Sequence, residues 1–194
     1  LETMTIAERR ARSALVVKVP EVAHIIGDYR RAYTADGPSV PPHITLLSPF
    51  LAPSETSSAV HKRIANVADA CPSFEFAAAR VEQFSTGILY LALEPAGRFI
   101  DLIERLAREF PEVTPYWRRF GEVVPHITVA DAALTDDPAI LEHIASSIAV
   151  RLPVRCAVRE MVLMQRVHPA PAPWDLQGRF VLPAPETGAL SSTR

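Results

Sequence analysis

The tetrapeptide Pro-His-Ile-Thr occurs twice in this chain of 194 residues, at 42–45 and again at 125–128. Each copy closes the same succession of patterns: a short apolar run that ends in proline, a helical pattern and a loop. The first succession starts at Leu15, 28 residues before its histidine, and the second at Leu89, 37 residues before its histidine. Strand–helix–strand units recur in any α+β chain, but that does not explain an identical tetrapeptide at the same place in both. The chain is therefore predicted to contain a duplicated strand–helix–strand unit.

Hydrophobic spacing places further elements around these two units. Apolar or alternating runs predict strands, and apolar positions at helical spacing predict helices. Strands are predicted at 14–19, 44–47, 74–80, 81–84, 88–93, 127–130 and 179–182, with one long extended segment at 154–166, and helices at 22–33, 60–71, 99–110 and 140–148. We expect one domain at 14–182, an N-terminal extension at 1–13 and a flexible tail at 183–194.

The overall composition excludes several classes of protein. There are 18 prolines but only 7 glycines, and the glycines form neither a dinucleotide-binding motif nor a P-loop. A net charge of −2 and a pI of about 6.3 argue against a duplex-DNA-binding protein, which usually carries a basic surface. Two cysteines are too few for a disulfide framework, so we expect a cytoplasmic location. No segment has the composition of a signal peptide or a membrane span.

The chemistry of the repeated motif favours a phosphoester substrate. Alternate residues of a strand face the same side, so the histidine and threonine of each motif are expected to point away from its apolar residues. If the two units are related by a pseudo-two-fold axis, His43, Thr45, His126 and Thr128 meet around one cleft. One imidazole can then accept a proton while the other donates one. The threonine hydroxyls can bind the non-bridging phosphate oxygens. This chemistry requires no metal or other cofactor, and the remaining histidines lack a metal-binding spacing.

The two motifs, with Pro49-Phe50 trailing the first, resemble those of the 2H (two-histidine) phosphoesterase superfamily, which includes 2′-5′ RNA ligases and 2′,3′-cyclic phosphodiesterases. The resemblance implies a bilobal α+β fold, with two small antiparallel sheets, helices outside them and a central cleft. It implies that His43 and His126 are catalytic and that Thr45 and Thr128 bind phosphate. Which histidine is the acid and which is the base stays open, because two nearby imidazoles titrate as a coupled pair.

The resemblance also implies a reaction. It is the metal-free hydrolysis of a 2′,3′-cyclic phosphate on RNA or a nucleotide, with reversible 2′-5′ ligation when a 5′-hydroxyl replaces water. The alternative is a module that binds an RNA end or nucleotide in the same cleft without turnover. We expect a monomer that binds neither duplex DNA nor membranes.

Three further residues are candidate substrate contacts. Phe50 follows the first motif, Trp117 precedes the second, and Arg166 ends the long extended segment. An aromatic ring can stack on a base, and a guanidinium can bind phosphate. For Phe50 simple packing is an equal alternative, and for Trp117 and Arg166 a structural role is favoured.

Overall fold

The structure, a computed structural model, describes residues 12–35, 37, 39–115, 121, 123–135, 137, 139–166 and 173–185, and this part of the chain contains eight strands and four α-helices. The strands are β1 (Arg12–Lys18), β2 (His43–Leu47), β3 (Phe74–Gln83), β4 (Ile88–Glu94), β5 (His126–Asp131), β6 (Val154–Val158), β7 (Glu160–Arg166) and β8 (Asp175–Val181). The helices are α1 (Ala23–Tyr33), α2 (Ser58–Asp69), α3 (Gly97–Glu109) and α4 (Ala139–Ala149). No helix in these ranges is long and apolar enough to cross a membrane.

The strands form two four-stranded antiparallel sheets that repeat one plan. The first sheet has the order β2-β1-β7-β8 and the second the order β5-β4-β3-β6. The two predicted units therefore occupy equivalent places: β2 and β5 are edge strands, and β1 and β4 are their inner neighbours. The predicted α+β fold with two small antiparallel sheets is confirmed.

The segment at 154–166 is two strands rather than the single extended segment predicted from the sequence. Residue Arg159 separates β6, which pairs with β3 in the second sheet, from β7, which pairs with β1 in the first. Strand β6 alternates between buried and more exposed residues, whereas β7 is buried from its second residue to its last, and the sequence shows no turn residue such as glycine or proline between them. The pattern therefore could not reveal that the chain passes from one sheet to the other here.

The helices exchange partners between the two units. Helix α1 of the first unit packs against β5 of the second, and α3 of the second unit packs against β2 of the first. In α3 the buried positions Phe99, Leu102, Ile103 and Leu106 form a single apolar face, which is the spacing that a helix requires. Residues of both sheets and all four helices share one hydrophobic core, so the two halves fold around a common interior.

Residues just outside both ends of the predicted domain form backbone hydrogen bonds with residues inside it. Strand β1 starts at Arg12, and the carbonyl oxygen of Ser13 accepts a hydrogen bond from the backbone of Phe50 at 2.9 Å. At the other end, the carbonyl oxygen of Pro183 accepts one from the backbone of Ser73 at 2.7 Å. The remaining residues of the predicted extension and tail, 1–11 and 186–194, lie outside the described part of the chain.

Candidate active site

The two Pro-His-Ile-Thr motifs lie at the seam between the sheets. His43 is the first residue of β2, and His126 is the first residue of β5. Each of these strands is the edge of its sheet, and the two strands contact each other. The fold thus brings together the two segments that the sequence identifies as related, although they are far apart along the chain.

Within each motif the polar and apolar side chains face opposite sides, as predicted. Ile44 and Leu46 are completely buried in β2, whereas His43 is half-buried and Thr45 is exposed. In β5 the buried residues are Ile127 and Val129, and both His126 and Thr128 are half-buried. The apolar pairs belong to the common core, so the polar pairs are held on its outer side.

Both imidazole rings are oriented by the same backbone contact. Nδ1 of His43 lies 2.9 Å from the carbonyl oxygen of Pro41, and Nδ1 of His126 lies 2.7 Å from that of Val124. A carbonyl oxygen only accepts hydrogen bonds, so Nδ1 carries the proton in both rings. In the neutral ring the lone pair is then on Nε2, which is the atom that can accept a proton from a reactant.

The surroundings of His126 are aromatic. Its ring meets Phe84 edge to face at a centroid distance of 5.0 Å and Tyr90 at 5.4 Å, and Phe84 is stacked on Tyr90 at 4.1 Å. Burial lowers the pKa of His126 below its ordinary value, and the hydrogen bond with Val124 opposes this only in part. Burial favours the neutral ring because the charged imidazolium loses its hydration.

A polar network extends from these rings across the second sheet. Tyr90 pairs with Thr128 on one side and with Glu82 on the other, and its hydroxyl donates to the Glu82 carboxylate at 2.7 Å. Burial, with a contribution from Glu82, raises the pKa of Tyr90 to about 12, so the phenol stays protonated. Arg80 joins Glu82 to Glu94 through its guanidinium. Sequence reasoning missed these residues because only the strand register places them beside the second motif.

The three candidate substrate contacts have different surroundings. Phe50 is 8% exposed, and its ring meets that of Phe110 edge to face at 4.9 Å, which is the packing alternative left open by the sequence. Trp117 lies outside the described residues. A substrate contact for either residue stays a prediction.

Arg166 is buried at 6% exposure, with its guanidinium 5.2 Å from the ring centre of Trp174. Along β1, Lys18 pairs with His43 and Arg12 pairs with Arg166. The six-residue separation corresponds to about 20 Å along the sheet. A contact between Arg166 and substrate stays a prediction, and it would concern a part of the substrate remote from the first motif.

The described residues contain no group of three or more His, Cys, Asp and Glu side chains that could hold a metal ion. Proton transfer and hydrogen bonding are the chemistry that the paired motifs themselves can supply.

Two antiparallel sheets that meet at edge strands carrying His-x-Thr define the class of protein: a two-histidine phosphoesterase fold. The chain belongs to the 2′-5′ RNA ligase superfamily, whose family model matches residues 18–169.

Among curated proteins, a "Putative phosphoesterase" of Bacillus pumilus is 32% identical over 58% of this chain and 64% of its own length. The chain thus spans just under two thirds of that relative. A protein of Bacillus licheniformis with the same description is 27% identical over 74% of this chain and 79% of its own length.

Solved structures share the fold at low sequence identity. Escherichia coli LigT, crystallised with 3′-AMP, has a TM-score of 0.56 at 18% identity and covers 89% of this chain and 98% of its own. TT0787 of Thermus thermophilus has a TM-score of 0.62 at 20% identity, with the same coverage of 89% and 98%. At these identities the similarity establishes the architecture.

Proposed function

We propose that this protein hydrolyses a 2′,3′-cyclic phosphate on a nucleotide or an RNA end without a metal ion. The observation that carries the proposal is the equivalent placement of His43 and His126. Each starts an edge strand, the two strands are in contact, and each ring is held through Nδ1 by a backbone carbonyl two residues earlier. Two imidazoles held in the same way can supply the base and the acid that opening a cyclic phosphate requires.

The proposed reaction is an in-line attack of water on phosphorus. One imidazole accepts a proton from water as the new P–O bond forms, and the other gives its proton to the ribose oxygen that leaves. A ribose 2′-phosphate is the expected product, and a 5′-hydroxyl that attacks in place of water, with the same 3′-oxygen leaving, gives a 2′-5′ linkage. Thr45 and Thr128 are proposed to donate hydrogen bonds to the non-bridging oxygens, where charge increases in the transition state.

The surroundings of His126 support a further assignment. His126 contacts two aromatic rings, and burial lowers its pKa, which favours the neutral ring. A neutral ring is the form that accepts a proton, so we propose His126 as the base and His43 as the acid.

The class of substrate is proposed on two grounds. LigT, which has this fold, was crystallised with the nucleotide 3′-AMP. The net charge of −2 disfavours a long nucleic acid duplex as partner. A cytoplasmic location also stays a prediction from the sequence.

The test is hydrolysis of adenosine 2′,3′-cyclic phosphate in the presence of EDTA. His43→Ala and His126→Ala are each expected to lower kcat by about 100-fold or more, since a positioned proton-transfer group contributes at least that much. His143→Ala is the matched control, because His143 is exposed on α4. A folded His126→Ala protein with undiminished activity would refute the assignment.

The binding-module alternative makes a different prediction in the same experiment. It expects the wild-type protein to bind a cyclic nucleotide with no product detected over many hours. The presence of both complete motifs supports the enzyme.

A further inference from the structure

Arg30 is a charged residue in the interior of the protein. It lies on the inner side of α1 and is 3% exposed. A guanidinium removed from water is strongly unfavourable unless its N–H groups are bonded within the protein. The position of Arg30 therefore depends on the acceptors that surround it.

Two of those acceptors belong to the segments that carry the two motifs. Nη1 donates at 2.5 Å to the carbonyl oxygen of Thr128, the last residue of the second motif. Nη2 lies 3.4 Å from the carbonyl oxygen of Val40, three residues before His43. A planar guanidinium holds its N–H groups in a rigid fork. It therefore restricts the distance and angle between the two acceptors more than a flexible ammonium does.

The backbone of Arg30 is itself tied to the loop that leads to the first motif. Its carbonyl oxygen accepts hydrogen bonds from the Thr34 hydroxyl at 2.8 Å and from the Thr34 backbone at 3.0 Å. Gly37 approaches this carbonyl so closely that a Cβ atom there would overlap it. Arg30 thus connects the end of α1, the loop before β2 and the middle of β5.

We propose that Arg30 is a positioning residue that sets the spatial relation between the two His-x-Thr motifs. The proposal rests on the function proposed above and extends it to a residue outside both motifs. The exchange of helices gives the reason: α1 belongs to the first unit but packs on β5 of the second. Arg30 is therefore placed where one side chain reaches both motif segments.

The test compares Arg30→Met and Arg30→Lys with Arg31→Met. Methionine fills much of the volume but donates no hydrogen bond, and lysine keeps the charge without the planar fork. Arg31 is the matched control because its side chain is 62% exposed and forms an ion pair with Asp28 of the same helix. Two quantities are measured well below each variant's unfolding temperature: kcat and KM for adenosine 2′,3′-cyclic phosphate, and the Kd of inorganic phosphate from the imidazole NMR signals of His43 and His126.

In the wild-type protein, phosphate is expected to shift both imidazole signals with a single Kd. Arg30→Met should lower kcat by about tenfold or more with a smaller change in KM, and should weaken phosphate binding by a similar factor. Arg30→Lys should fall between wild type and Arg30→Met, and Arg31→Met should stay within twofold of wild type. A purely structural role would lower the unfolding temperature without changing kcat or the phosphate Kd of the folded protein.

Several results would overturn the proposal. One is a folded Arg30→Met protein with kcat and phosphate Kd within twofold of wild type; if that variant does not fold, Arg30→Lys decides by the same criterion. Another is phosphate that shifts only one imidazole, or neither, in the wild-type protein. If the wild type shows no turnover but phosphate shifts both rings, the proposed function fails while the phosphate measurements still decide the role of Arg30.

Discussion

Gly37 offers a direct test of how tightly the loop before the first motif is packed. In Gly37→Ala the new Cβ would overlap the backbone carbonyl of Arg30 and press on the hydroxyl of Thr34. The obstructing carbonyl belongs to α1, so no change of side-chain rotamer relieves the overlap. Either the loop or the end of the helix has to move.

The expected cost follows from the kind of atoms involved. Overpacking in a filled interior usually costs about 1–3 kcal/mol, and a clash with helix backbone belongs in the upper part of that range. We expect Gly37→Ala to lower the free energy of unfolding by about 2–3 kcal/mol. For a chain of this length that corresponds to a fall in Tm of roughly 5–10 °C.

Urea denaturation followed by circular dichroism measures this change. The slope with denaturant should stay constant while the midpoint falls, because the surface exposed on unfolding is unchanged. Gly97→Ala is the control: a Cβ at Gly97 would have no neighbour within 4 Å in the described structure, and Gly97 begins α3. That variant should gain about 0.4–1 kcal/mol, since alanine restricts the unfolded chain. A Gly37→Ala protein as stable as wild type would refute the packing argument.

Two further predictions concern titratable groups. NMR titration should give His126 a midpoint below the ordinary histidine pKa, and Phe84→Ala should raise it by admitting water. The unfolded chain binds this proton more readily than the folded protein does, so protonation of His126 should lower the free energy of unfolding as the pH falls below about 6.5. The His126→Gln variant should lack this contribution to the pH dependence. An NMR midpoint that Phe84→Ala leaves unchanged would contradict the argument. Burial raises the pKa of Cys156 to about 11, so a thiol reagent should modify the half-buried Cys71 first and Cys156 only on unfolding; equal rates in the native protein would contradict this.

Local patterns predicted most of the elements. The alternation of polar and apolar residues in β2 and β5 is visible in the sequence, because a strand has a period of two and one of its faces is buried. The same local rules failed at Arg159, where β6 ends and β7 begins one residue later in the other sheet. Apolar patterns report burial, and they carry no information about which strand lies alongside.

The candidate site divides in the same way. Its two motifs were predictable because the same tetrapeptide occurs at the same place in two similar units, which is visible in the sequence without any knowledge of the fold. The rings around His126 were not, since Tyr90 is placed beside Thr128 by strand register and Phe84 by stacking on Tyr90. Arg166 is the opposite case: the sequence suggested it as a substrate contact, but strand register pairs it with Arg12, far along the sheet from His43.

The sequence by itself determined the duplicated unit, the buried faces of its strands and the two His-x-Thr motifs, because each of these depends on residues close together in the chain. Only the tertiary structure decided that α1 packs on the strand of the other unit, that β2 and β5 meet, and that the guanidinium of Arg30 reaches both motif segments. These features depend on contacts between residues far apart in sequence. Such contacts are selected by the packing of the whole interior, which no local pattern records.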